Sequence, residues 1–303
     1  MKRFFTGMQI FHLPQLPEFT AVKLHELLTQ SKFKPAGDLE WSSMGWVPPI
    51  EGLDTLTLPV SDTIFITARK QTKILPRSVI NDFVRERVEA IKTNQLRNVG
   101  KREKKEITDD VIVELLPRAL PRNVNTTAYI DIKNHWLVVN TPSRNTAEEI
   151  VSLLRLDLKD FPAVPPTVSI APAVTLTNWL TSRDLPRGFN LGSDCKLTDV
   201  VSKGETVTFC QLDLLSNEVH SLLDHGRTVK YLALNWENKL DFVLDDEFNI
   251  RRIKFLDAAD SDSKNDGDVQ SDLFVMTATF AQFIPQLLNA AKAIDNSTPA
   301  GNA

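Results

Sequence analysis

Basic residues are concentrated in one part of the chain, between Arg69 and Arg122. This segment holds fourteen basic and eight acidic residues, a net charge of +6, whereas the rest of the 303-residue chain has a net charge of −10. Clustered positive charge can neutralise phosphates and release their counterions, which gives affinity for nucleic acid without reading its sequence. The candidate phosphate contacts are Lys73, Arg77, Arg97, Lys101, Arg102, Lys104, Lys105, Arg118 and Arg122.

The same charge pattern has a simpler interpretation, because a run of charged residues is most often the solvated face of a helix. The overall net charge of −4 and the pI near 5.8 exclude a uniformly basic protein. Hydrophobic residues (42%) and charged residues (24%) are at the ordinary levels of globular proteins. Charge alone therefore leaves open whether the basic segment meets nucleic acid or an acidic protein partner.

Two helices are predicted to carry these cations. Apolar residues recur at helical spacing from Ile80 to Ile91, which predicts a helix over 79–98. A second helix is predicted over 108–116, with Thr108 as its N-cap. Three cations at four-residue spacing would share one face if the first helix continued: Arg97, Lys101 and Lys105.

The rest of the pattern mixes strands and helices without regular alternation, which favours an α+β fold with antiparallel sheets. Strands are predicted at 3–13 and 63–68, in a hairpin over 127–140, and in a three-stranded meander over 228–256. Helices are predicted at 18–31, 145–158, 174–183 and 212–225.

Glycine, proline and acidic residues predict where these elements stop. Residues 41–49 are predicted to be a loop, and the proline cluster at 161–166 is the best candidate for a linker. The acidic segment 257–272 is predicted to be a loop or disordered. A last apolar helix face runs from Phe280 to Ala291 and is interrupted by Pro285, so an alternative is a helix that starts at Pro285, with proline in its first turn.

Cofactor and nucleophile motifs are absent from the sequence. It contains no P-loop, no G-x-G-x-x-G, no H-E-x-x-H and no C-x-x-C, so no cofactor is expected. Cys195 and Cys210 do not make a disulfide framework, and their spacing to His220 and His225 fits no compact zinc site. With no run of eighteen apolar residues and no signal peptide, a cytoplasmic protein without a membrane span is expected.

Carboxylates near one predicted hairpin leave an enzymatic alternative open. Asp241, Asp245 and Asp246 could hold a divalent metal in a nuclease acting on nucleic acid. Asp245 and Asp246 are explained more simply as the polar tip of the hairpin between two meander strands.

A set of short segments, in order along the chain, carries a family resemblance. They are Met44–Pro49 (MGWVPP), Ala68–Lys70 (ARK), Lys73–Pro76 (KILP), Leu115–Ala119 (LLPRA), Leu153–Arg155 (LLR) and Leu232–Trp236 (LALNW). With them the chain resembles the RdgC family of bacterial recombination-associated proteins over nearly its full length.

The resemblance implies a sequence-independent DNA-binding protein and not an enzyme. It implies a homodimer closed into a ring, with a basic inner wall around duplex DNA, that restrains recombinase (RecA) filaments by competing for DNA. Such a protein would be cytoplasmic and associated with the nucleoid. Its partners would be DNA, a second copy of itself and, through shared DNA, the recombinase filament.

The resemblance also implies a curved subunit in three parts. On this chain the helical tip would be residues 76–124 and the base residues 171–230. The centre would be discontinuous, formed by 1–75, 125–170 and 231–303. A ring needs two separate two-fold contacts, each self-complementary.

Two positions depart from the family pattern. Where that pattern implies an aromatic residue at the dimer contact of the tip, this chain has Leu120, which keeps apolar contact but not ring stacking. Around Phe209-Cys210-Gln211 the pattern implies lysines, and this chain has none there. A DNA-holding role for that segment is therefore in doubt.

Overall fold

The computed structural model describes residues 5–15, 20–199, 204–256, 269–291 and 293–294. The helices are α1 (Ala21–Leu28), α2 (Arg77–Gln95), α3 (Lys101–Leu115), α4 (Arg144–Leu158), α5 (Pro172–Ser182), α6 (Asn217–Asp224) and α7 (Val269–Ala290), with short 3-10 turns at Thr29–Ser31 and Leu116–Arg118. The strands are β1 (Gly7–His12), β2 (Ser42–Val47), β3 (Thr57–Val60), β4 (Thr63–Ile74), β5 (Leu120–Asp131), β6 (Trp136–Val139), β7 (Thr167–Val168), β8 (Phe189–Thr198), β9 (Thr206–Phe209), β10 (Thr228–Trp236), β11 (Leu240–Asp245), β12 (Ile250–Phe255) and β13 (Ala293–Ile294).

One large antiparallel sheet organises the described part of the chain. Its strand order is β2-β4-β5-β6-β1-β12-β11-β10-β8-β9, with β3 paired to β4, while β7 and β13 form a small second sheet. Strand β1 joins the two halves, because it pairs with β6 on one side and with β12 on the other. The predicted α+β class with antiparallel sheets is confirmed. The division into centre, tip and base stays a prediction.

Successive side chains along the strands point to opposite faces of the sheet and pack into two hydrophobic cores, one on each face. In β1, Met8 and Ile10 enter one core, while Phe11 enters the other. The first core is covered by α5, α6 and α7, and the second by α1 and α4. Around β1 the sheet therefore has helices packed on both of its faces.

Helix α7 corrects the prediction for the C-terminal region. It is one helix of 22 residues with Pro285 in its interior, not a helix that starts at Pro285. Proline removes a backbone donor there, but Phe280, Phe283 and Leu287 on both sides of it are buried in the first core. Of the acidic segment predicted to be loop or disordered, 257–268 lies outside the described residues and 269–272 is helical.

Among the described residues, α7 is also the one helix long and apolar enough to cross a membrane by length and composition. This differs from the expectation of no membrane span, which rests on the absence of a run of eighteen apolar residues. Core helices of soluble proteins pass the same test, and α7 buries Leu273, Met276 and Ile284 as well in the first core.

Two segments predicted to be irregular are integral parts of the fold. Residues 42–47, predicted to be a loop, form β2, in which Gly45 lies so close to Phe33 that an added Cβ would stand 2.5 Å from its Cα. The proline cluster is not a free linker. Phe161 and Ala163 are buried in the second core, and Val164 forms a β-bridge with His12.

Strands β4 and β5 form a twelve-residue ribbon in continuous register, from the pair Thr63–Asp131 to the pair Ile74–Leu120. The chain between them forms an antiparallel helical hairpin, α2 and α3, which has its own small core. That core contains Ile80 and Val84 from α2 and Ile107 and Val111 from α3. The ribbon thus carries the basic helices at the end of the sheet.

The two basic helices differ from their predicted bounds. Helix α2 stops at Gln95, because Leu96 takes the left-handed conformation with φ 51°. Helix α3 begins after Gly100, not at Thr108, whose hydroxyl donates to the Lys104 carbonyl inside the helix. The first helix therefore does not continue into α3, and the alignment of Arg97 with Lys101 and Lys105 that a continuous helix would give does not occur.

Candidate nucleic-acid interface

Three lysines share one face of α3. Lys101, Lys104 and Lys105 are related by three and four residues, the spacing that brings side chains together on a helix surface. All three are exposed, and none makes an ion pair within the described part of the chain. The acid in the first turn of α3, Glu103, is paired with Arg97 and not with any of these lysines. The first turns of α3 therefore present three free ammonium groups to solvent.

Helix α2 adds cations on the same side of the hairpin. Arg85 and Lys92 each follow a residue of the α2 core stripe, and the lysines of α3 lie on the equivalent flank of its own stripe. In an antiparallel helix pair, equivalent flanks meet on one face. We call the five residues of this surface the basic face: Arg85, Lys92, Lys101, Lys104 and Lys105.

Ion pairs occupy the other side of the hairpin. Arg87 of α2 pairs with Glu114 of α3 across the opposite groove. Arg102 pairs with Glu106 along α3 at 3.4 Å. Within the basic face itself, Arg85 contacts an acid, Asp82, at 3.2 Å. The hairpin therefore separates paired charge from largely unpaired positive charge.

Arg97 is held by a carboxylate at the apex of the hairpin. Its Nη1 donates to Glu103 Oε2 at 2.7 Å, and its Nε donates to Gln95 Oε1 at 2.7 Å. The hydrogen bond from Arg97 lowers the pKa of the Glu103 carboxyl, and the same bond raises the pKa of Arg97. The geometry does not favour Arg97 and Arg102 as phosphate contacts, because Arg97 is held by both Gln95 and Glu103 and Arg102 lies on the ion-paired side of the hairpin.

Lys73 points inward, contrary to its prediction as a phosphate contact. Its Nζ donates to the carbonyl oxygens of Gly37 and Asp38 at 2.7 and 2.8 Å, and the residue is only 8% exposed. The reason is the length of β4, which extends through Lys73 and turns this side chain under the 33–40 segment. Lys73 therefore stabilises the ribbon and is not free to meet a phosphate in this conformation.

Three further predicted cations lie where the helical hairpin joins the ribbon. Arg77 begins α2, Arg118 ends the 3-10 turn after α3, and Arg122 lies on β5 opposite Thr72. All three are exposed, and none of their side chains has a hydrogen-bond or ion-pair partner in the described ranges. They extend the unpaired positive charge from the hairpin towards the ribbon.

Leu120 lies in an exposed apolar patch on the ribbon. It is 75% exposed and pairs directly with Ile74, which is 51% exposed. Val124, 47% exposed, lies four residues further along β5 on the same face. We call Ile74, Leu120 and Val124 the ribbon patch. The family resemblance points to Leu120 alone, because the pairing of Ile74 with Leu120 depends on the strand register.

The three carboxylates of the enzymatic alternative do not converge. Asp241 accepts a hydrogen bond from Asn235 Nδ2 at 2.7 Å, and Asp246 pairs with Lys230 at 3.3 Å. Asp245 is buried and accepts from the backbone N–H of Asn249 at 2.8 Å. Within the described ranges no group of three or more His, Cys, Asp or Glu residues could hold a metal ion. The predicted hairpin between β11 and β12 is confirmed.

Fold and site together define an α+β protein in which a large antiparallel sheet carries a helical hairpin with a basic face. A family model described as "Putative exonuclease, RdgC" matches residues 3–294. The chain belongs to the RdgC family, as its sequence resemblance indicates.

Curated relatives agree with this assignment. The chain is 35% identical over 268 residues to a recombination-associated protein RdgC of Xanthomonas campestris, covering 88% of each chain. It is 35% identical over 294 residues to the protein of that name from Pseudomonas putida, covering 94% of this chain and 96% of the relative. For Aeromonas hydrophila the identity is 34% over 293 residues. These relatives are named for recombination and not for a catalytic activity.

Proposed function

We propose that this protein binds DNA without sequence preference through the basic face of its helical hairpin. The observation that carries the proposal is the set of unpaired ammonium groups of Lys101, Lys104 and Lys105 on one helix face. Arg77, Arg118 and Arg122 add exposed positive charge where the hairpin joins the ribbon. Lysines on a helix supply charge to phosphates but no geometric fit to base edges, so such binding is insensitive to sequence.

Two copies of the chain would form the binding unit. The ribbon patch gives one self-complementary contact, in which Leu120 of each copy packs against the other across a two-fold axis. A second two-fold contact elsewhere would close a ring around duplex DNA. The net charge of −10 outside the basic segment suits an outer surface, because it keeps DNA away from the wrong side of the body.

The proposed role in the cell follows from occupancy. A protein bound along DNA without sequence preference, in the cytoplasm at the nucleoid, competes with a recombinase such as RecA for the same strand. The names of the curated relatives, recombination-associated proteins, support a role in this process.

A trapping experiment tests the ring. Protein bound to a closed circular plasmid should resist a salt challenge, whereas protein on a short linear duplex should slide off the ends. Equal dissociation from both substrates would refute encirclement but not DNA binding. A gel-shift titration against duplex and single-stranded DNA at two salt concentrations tests binding itself. It also separates DNA from an acidic protein as the partner of the basic face.

The description of the matching family model keeps an exonuclease as the second candidate. The test is incubation of linear duplex DNA with the protein and Mg²⁺, compared with an Asp241→Asn, Asp246→Asn variant. We expect the DNA to stay intact in both reactions. Shortening that requires Mg²⁺ and is lost in the variant would establish the nuclease instead.

A further inference from the structure

A groove lies on the opposite face of the ribbon from the ribbon patch, closer to the body. Its volume is about 780 Å³, within the range typical of small-molecule sites. The floor is the sheet surface of β4 and β5, and one wall is the segment after β2. The residues that matter for its chemistry are Thr67, Arg69, Asn125, Thr127 and Asn140 on the floor, and Pro48 and Ile50 on the wall.

The floor is a row of polar side chains where the strands leave the core. Phe65 and Tyr129 are buried on this same face, and the next residues outward, Thr67 and Thr127, share a hydrogen bond of 3.1 Å between their hydroxyls. Strand alternation then places Arg69 beside Asn125 one step further out. Beyond the apolar core, this face of the strands therefore presents hydroxyl, amide and guanidinium groups, which suit a polar ligand.

Arg69 is fixed in place but not neutralised. Its Nε donates to Asn125 Oδ1 at 2.9 Å, and its guanidinium lies 5.5 Å from the centre of the Phe33 ring. Its Nη1 and Nη2 have no partner in the described part of the chain. Lys70, the next residue, pairs with Glu149 on the other face of the sheet. Arg69 thus presents an oriented fork with no carboxylate, the arrangement that binds a phosphate with two hydrogen bonds.

The wall complements this polar floor. Pro48 and Ile50 are half-buried and apolar, and the chain turns away at Gly52, which has φ 86°. The acidic residue lining the groove, Glu51, is exposed and makes no ion pair with Arg69 in the described ranges. Two of the segments that carry the family resemblance, MGWVPP and ARK, meet across this groove although some twenty residues separate them.

We propose that this groove binds the phosphate of a nucleotide, with the Arg69 fork and the Asn125 amide on the phosphate and the base against Pro48 and Ile50. The site is distinct from the basic face, because five residues of extended strand, about 17 Å, separate Arg69 from the end of the ribbon at Ile74. The phosphate can belong to a free nucleotide or to a nucleic-acid strand.

The test is a calorimetric titration of the full chain with adenosine 5′-monophosphate, with adenosine and with inorganic phosphate as comparison probes. We expect Arg69→Gln to weaken nucleotide binding at least about tenfold, the usual loss for a charge-assisted hydrogen bond. Lys70→Gln removes the same charge from the neighbouring residue on the other face and should bind like the wild type. Asn125→Asp, which places a carboxylate beside the phosphate, should weaken binding as much and covers the case in which Arg69→Gln does not fold.

A second titration separates the two sources of phosphate. A 5′-phosphorylated oligothymidylate is added to a chain in which Lys101, Lys104 and Lys105 are alanine, which removes the contribution of the three α3 lysines to strand binding. Arg69-dependent binding of the oligonucleotide alone assigns the groove to a strand, and Arg69-dependent binding of the mononucleotide alone assigns it to a free nucleotide. Absence of Arg69-dependent binding for both probes, or equal binding of adenosine, would overturn the site and leave the proposal for the basic face untouched.

Discussion

Neutralising the α3 part of the basic face should change how DNA binding depends on salt. The variant replaces Lys101, Lys104 and Lys105 by alanine. Each phosphate contact contributes about 0.9 to the slope of log K against log salt on duplex DNA, so three contacts contribute about 2.7. Between about 50 and about 200 mM salt, a slope difference of this size narrows the affinity gap between wild type and variant by about 40-fold.

The assay is fluorescence anisotropy with two labelled duplexes of unrelated sequence, titrated at several salt concentrations. A matched control variant removes three other cations, Arg87, Arg97 and Arg102, which are all ion-paired with glutamates. It changes the net charge of the hairpin equally, but its slope should fall by less than about one. An unchanged slope in the lysine variant, or an equal change in the control, would refute the assignment of this face. A loss confined to one duplex would refute sequence independence.

Three further predictions concern the dimer, the core and the thiols. Burying Leu120 on both sides of a two-fold contact is worth about 4 kcal/mol, so Leu120→Ser should raise the dimer dissociation constant about a thousandfold in sedimentation equilibrium. The similarly exposed Val113→Ser serves as its control, and an unchanged constant would exclude the ribbon patch. Asp157 accepts from the buried Trp46 indole N–H at 2.6 Å, so Asp157→Ala should lower the free energy of unfolding in urea by about 1–3 kcal/mol. No loss would mean that the indole finds another acceptor. Burial raises the pKa of the Cys195 thiol to about 12, so iodoacetamide near neutral pH should alkylate the exposed Cys210 and spare Cys195 until the chain unfolds. Equal labelling of both thiols in the native protein would contradict this.

Elements with a strong periodic pattern were predictable from the sequence. The meander β10–β11–β12, the hairpin β5–β6 and helix α4 lie where alternation, helical spacing and turn residues place them. In each case the local pattern and the buried face agree, since Ile150, Val151 and Leu154 of α4 all enter the second core. Local signals suffice where they coincide with burial.

Glycine and proline gave the wrong signal where tertiary packing decides the conformation. Gly45 indicated a loop, but its missing side chain makes room for the backbone of Phe33 beside an edge strand. Pro285 indicated a helix start, but the apolar face on both sides of it keeps α7 continuous. A glycine or proline that indicates the end of an element can instead allow two backbones to pack closely, or can be tolerated inside a helix. A single sequence does not distinguish these cases.

The candidate site was predictable as a region and not as a set of contacts. The net charge of each segment is enough to locate the basic hairpin. It does not identify the contacts, because unpaired lysines and paired arginines count alike in a charge sum. Which cations are free depends on ion pairs such as Arg97–Glu103 and on the direction in which Lys73 points. These properties depend on where the helices and strands begin and end. The sequence pattern placed the start of the second helix at Thr108 instead of Lys101, and it ended the strand at residue 68, before Lys73.

The pairing of Ile74 with Leu120 has a consequence for how this chain can change. The two residues lie opposite each other on neighbouring strands, about 5 Å apart. The chain leaves the body and returns to it at nearly one point, and everything between forms a unit with its own core. Such an insertion can be lengthened, exchanged or replaced by a tight turn without altering the register of β4 and β5. The helical hairpin can therefore evolve, or be exchanged by engineering, while the ribbon and the rest of the sheet stay unchanged.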